Sequence, residues 1–113
     1  MLNSAWAELI PLLGKGQITE SEFWQQFIRQ TAAPNPLPEV SLFEREFGRN
    51  FQPIYGTLSI AKNLREHHQI KSAILSNTIE PHARVNHEMG LFDDFPIVIL
   101  SHEVGLRKPD PAI

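Results

Sequence analysis

Residues 73–82 read AILSNTIEPH: an apolar run, Ala73 to Leu75, set directly against Ser76, Asn77 and Thr78, before helical spacing resumes. Apolar residues without alternation, bounded by polar turns, suit a strand covered on both faces, as strands in parallel sheets are. Downstream, PHARVNHEMG (81–90) keeps a helical period as far as Gly90, LFDDF (91–95) turns the chain, and PIVILS (96–101) is a second unalternating run. Strand, helix and strand at this separation form a βαβ unit. Its crossover returns the chain to the same end of the sheet, so the two strands pair in parallel.

Upstream the character is helical. YGTLSIAKNLREHHQI (55–70) is predicted as a helix with Leu58, Ile60, Ala61 and Leu64 inward. NSAWAELIPLLGKG (3–16) places Trp6, Leu9, Ile10 and Leu13 at helical spacing, with Gly14 positioned to end the helix and Pro11 expected to kink or split it. In ITESEFWQQFIRQTA (18–32), Thr19 and Glu22 match the capping box, in which each side chain satisfies the other residue's orphan amide; Phe23, Trp24, Phe27 and Ile28 then share a face. PNPLP (34–38) reads as a rigid connector, because proline fixes φ and cannot donate a hydrogen bond. A third amphipathic piece carries Val40, Leu42, Phe43 and Phe47. The layout is α/β in class: a helical region at residues 1–52, then an α/β region at 53–113.

Composition narrows the function. The 113 residues are 42% apolar and 20% charged, with a net charge of −3, so nothing electrostatic attracts nucleic acid or an anionic membrane. There is no cysteine, which removes disulfides, thiolate metal sites and cysteine nucleophiles. No apolar stretch approaches the ~18 residues of a membrane span, and a cytoplasmic location is expected.

Ligands of open parallel sheets collect outside the carboxyl ends of the strands. Ser76, Asn77 and Thr78 follow the first strand, while Ser101, His102 and then Lys108 follow the second. Hydroxyls, an amide and backbone N–H groups at a strand-to-helix turn can hold phosphate oxygens, and a lysine supplies the point charge a dianion needs. On their own, Ser76 and Asn77 would read as caps that start the next helix, and Lys108 as a solvated surface lysine.

The order of ILSNT, GLFDDF and VILSHEVGLRKPDPAI resembles the haloacid dehalogenase superfamily of hydrolases, most of which are magnesium-dependent phosphatases. By this resemblance LSN is the second family motif and RKPDP the third, and the fold is a partial Rossmann-like parallel sheet beneath an N-terminal helical cap that includes the G-ITE-EFW signature. The resemblance implies Ser76 as the phosphate-contacting hydroxyl, Asn77 as a substrate-loop amide and Lys108 as the catalytic, charge-stabilising lysine. It implies a small phosphorylated metabolite as substrate, hydrolysed through an aspartyl-phosphate with Mg²⁺. The family's nucleophilic Asp-x-Asp and its downstream acidic pair have no counterpart here: Asp93, Asp94 and Asp110 are the only aspartates. This chain alone is therefore expected not to turn over, since covalent catalysis needs the nucleophile and Mg²⁺ needs carboxylates. Asp110-Pro111 reads as a helix start, and the chain as a piece of a longer one.

Other polar clusters carry less. Asp93 and Asp94 point apart on a turn, and His82 and His87 are five apart, off the i+3 and i+4 spacings of a helical metal site. The histidines are expected on the surface or hydrogen-bonded, with His82 and His102 lining an entrance, and Phe23, Trp24 and Phe27 as packing. Dehalogenation of a 2-haloacid is the alternative chemistry. A non-catalytic assembly module, recruiting a partner or a second copy through an open sheet edge, is the alternative of a different class.

Overall fold

The computed structural model describes residues 2–32 and 37–113, and residues 34–36 of the proline-rich connector lie outside them. The element order is α1 (Leu2–Gly14), α2 (Glu20–Thr31), α3 (Leu42–Asn50), α4 (Tyr55–His68), β1 (Ala73–Ser76), α5 (Glu80–Glu88), β2 (Ile97–Leu100) and α6 (Ser101–Val104). The strands pair in parallel, with Ala73 opposite Ile97 and Ser76 opposite Leu100. The protein is thus α/β in the coarse sense: mostly helix around a small parallel sheet.

Local chemistry explains the helical half. Contrary to expectation, α1 runs unbroken through Pro11. A proline removes one backbone hydrogen bond, and here the fully buried Leu9 and Leu13 hold the helix on both sides of the loss. The capping box at α2 forms as read: Thr19 N donates to Glu22 Oε2 at 2.8 Å and Glu22 N to Thr19 Oγ1 at 3.1 Å. Phe23, fully buried, meets Trp6 edge-on at 5.5 Å, Trp24 at 5.0 Å and Phe43 at 5.2 Å. These aromatics are packing. Ile79, from the loop after β1, inserts into the same cluster as Leu9, Leu13 and Phe23, so the helices and the strand ends share one core.

The sheet departs from the expected sandwich. Leu100 is buried on the face that looks toward α5, whereas Leu75 and Ile97 are exposed on the other. On this second face only Ile99 is half-buried. Leu58, Ser59 and Arg65 of α4 line a small cavity with Gly90, Leu91 and Phe95, and Arg65 pairs with Asp94 at 3.8 Å. Ile60, expected inward, is 64% exposed. Continuous apolar character marks a strand's capacity to be covered on both sides; whether a helix covers it depends on tertiary docking.

Candidate functional site at the carboxyl ends of the strands

β1 ends at Ser76, and the three residues after it make the turn into α5. Asn77 does not cap that helix. Its N-cap is Ile79, with no side-chain cap bond and with a proline in the first turn, where the missing N–H costs nothing. The Asn77 carboxamide reaches instead across the chain to Lys108: Oδ1 accepts from Lys108 N at 2.8 Å, and Nδ2 donates to Lys108 O at 3.0 Å. Lys108 Nζ then donates to the carbonyl of Leu75 at 2.9 Å, on the peptide that leads into Ser76. Asn77 and Lys108 are both exposed and Ser76 is half-buried, so the ammonium sits at the open end of β1 beside Ser76 with donor capacity left over. The structure therefore brings Asn77 and Lys108 together at the end of β1, whose last residue is Ser76.

Behind this edge lies Ser101, which is fully buried. Its hydroxyl accepts from Thr78 N at 2.9 Å and donates to Thr78 O at 2.9 Å, tying the end of β2 to the loop after β1. Sequence reading noted Ser101 only as a strand-end residue; the reciprocal pairing depends on parallel register, and the one signal was a hydroxyl directly after an apolar strand. α6 was not foreseen. It closes with Gly105 in the left-handed region, at φ 73°.

The helical layer approaches the same end. Gly16, at φ +67°, passes so close to His102 that a Cβ would lie 2.0 Å from its carbonyl oxygen. Only glycine fits both the dihedral and the gap. A cavity of ≈ 360 Å³ lies along this seam, between Gly16, Thr19 and Glu20 on one side and Glu80, Pro81 and His102 on the other. A second, of ≈ 530 Å³, lies between α5 and β2, where Arg84 and His87 face Leu100 and His102. His102 thus lines both cavities. Its buried Nδ1 lacks a hydrogen-bond partner among the described residues. His82 does not line either: it stacks on Phe47 at 4.2 Å, and burial lowers its pKa below 6.5 against the opposing pull of Glu20.

Five carboxylates bond or pack within the chain. Asp94 pairs with Arg65, and Asp93 lies against Gly90 in the turn that precedes β2. Asp110 follows Lys108 closely, but its Oδ1 accepts from Ala112 N at 2.9 Å. Glu20 holds Ser41 Oγ, Phe43 N and Trp24 Nε1, and Glu80 holds Arg84. Mg²⁺ asks for one or two carboxylates converging on a phosphate, and these five carboxylates bond or pack within the chain instead. No group of three or more potential metal-ligating His, Asp or Glu side chains occurs among the described residues. Among the same residues no helix is long and apolar enough to cross a membrane.

No protein-family model matches the chain. It is similar to "Uncharacterized protein YMR130W" of Saccharomyces cerevisiae, at 33% identity over 110 residues, covering 91% of this chain and 36% of that protein. The chain spans about a third of the length of the curated relative it matches.

Proposed function

We propose that the carboxyl edge of the parallel pair is the phosphate-holding part of a hydrolase of the haloacid dehalogenase type, acting on small phosphate monoesters, with residues 1–52 as its helical cap. The observation that carries this reading is the delivery of the Lys108 ammonium to the end of β1, 2.9 Å from the Leu75 carbonyl, beside Ser76. A single carbonyl does not neutralise an ammonium. A dianion at the same edge would, and at a separation of ~4 Å the attraction is worth about 1 kcal/mol in water and about 4 kcal/mol at an effective dielectric constant of 20. The Ser76 hydroxyl, at the end of β1, supplies a directional bond. Magnesium belongs to the reaction of the complete enzyme type.

In this reading the chain binds phosphate and does not turn it over. Inorganic phosphate is expected to bind with a dissociation constant on the order of millimolar, as suits a few exposed contacts. Lys108→Gln is expected to weaken binding roughly tenfold or more, to a level still measurable, and an aryl phosphate is expected to survive incubation with the chain, with or without Mg²⁺. Unchanged affinity in Lys108→Gln, or metal-dependent turnover by the chain alone, would overturn the proposal.

One observation favours a second reading. The exposed Leu75 and Ile97 form an uncovered apolar sheet face next to an open strand edge, which suits an assembly module.

A further inference from the structure

We infer that Asn77 is a positioning residue, which acts on a phosphate-sized anion through Lys108 rather than by touching it. The inference rests on the phosphate reading above and goes beyond it, because the family resemblance makes Asn77 a substrate-loop amide. The geometry assigns it otherwise. Each end of its carboxamide bonds one of the two main-chain groups of one residue, Lys108, at 2.8 and 3.0 Å, across 31 positions of chain. Lys108, Pro109 and Asp110 are exposed and belong to no helix or strand, and the backbone bond from Asp110 N to Arg107 O is local to the turn. The Asn77 pair is therefore what fixes the Lys108 backbone relative to β1. The flexible lysine stem can then deliver its ammonium to the Leu75 carbonyl instead of sampling solvent.

The residue type is demanding. An aspartate would keep the acceptor for Lys108 N and lose the donor to Lys108 O; a serine is too short to span both; an alanine offers neither. A residue that merely stabilises the fold would weaken phosphate binding whatever stands at position 108. One that acts through Lys108 has nothing left to contribute once the ammonium is gone.

A double-mutant cycle on the full chain separates these cases, with inorganic phosphate as the probe and chemical-shift titration as the readout. Asn77→Ala is expected to weaken phosphate binding roughly tenfold, the loss expected from two ordinary hydrogen bonds. Lys108→Gln is expected to weaken binding by a similar factor that is still measurable, and the double variant to match Lys108→Gln alone. Amide exchange in the unmutated chain adds a check that needs no variant to fold: the Lys108 N–H, held by Asn77 Oδ1, is expected to be protected relative to its exposed neighbours. The inference is overturned if Asn77→Ala binds as the parent does, if the two losses add, or if the Lys108 amide exchanges freely. Loss of Lys108 without effect on affinity refutes the phosphate reading itself, a distinct outcome.

Discussion

Ser101 is polar and fully buried, and Thr78 is the reason. One hydroxyl satisfies a backbone N–H and a backbone C=O of the facing loop, so removing it leaves both groups without that partner. Ser101→Ala is expected to lower stability by about 1–3 kcal/mol in a urea melt, with no change in the transition slope. Gly16→Ala makes a second test. A methyl group would collide with the His102 carbonyl in a left-handed backbone, so a loss of more than about 1 kcal/mol is expected, against the gain such a change gives at a relaxed site. Neither partner was legible beforehand. Serine after a strand and glycine after a helix are local signals, while Thr78 and His102 lie 23 and 86 positions away. The same limit applied to Asn77, whose residue type suited a cap, a ligand or a clamp equally well until Lys108 was seen opposite its carboxamide.

Elements repeat the pattern. The Thr19–Glu22 box, the stop at Gly14 and the two apolar strands were readable because each is encoded within a few residues. The docking of α4 was not, since a helix with Leu58, Ile60, Ala61 and Leu64 can bury that stripe against a sheet or leave Ile60 in water. Between α3 and α5 the join is titratable. His82 stacks on Phe47, near Phe43, and burial lowers its pKa, the Glu20 carboxylate opposing this only in part. Because the folded pKa lies below 6.5, the unfolded chain takes up the proton first as pH falls. The loss of stability therefore begins as pH drops through about 6.5 and levels off below the folded pKa. His82→Phe keeps an aromatic ring on Phe47 and is expected to flatten this part of the stability profile between pH 7 and 5. An unchanged pH slope in that variant would mean His82 is not the group responsible.

At the scale of the whole molecule, shape and core belong together. The radius of gyration is 16.6 Å and the long axis 56 Å, where a compact chain of similar length has a radius near 13 Å. The buried cluster sits among α1, α2 and Ile79, so the sheet contributes one covered face and one bare one. Such a surface is expected to drive association through the sheet as protein concentration rises, and Leu75→Lys with Ile97→Lys is expected to return the chain to a monomer by light scattering. A monomer at all concentrations would show the bare face to be inert. The pairing at the other end of the same strands carries the functional account, and titrating inorganic phosphate into the isotope-labelled chain at constant ionic strength, against chloride, tests it most directly. Saturable shifts confined to Ser76, Asn77, Thr78 and Lys108 are the predicted result. Shifts scattered over the surface lysines, or none up to tens of millimolar, would contradict it.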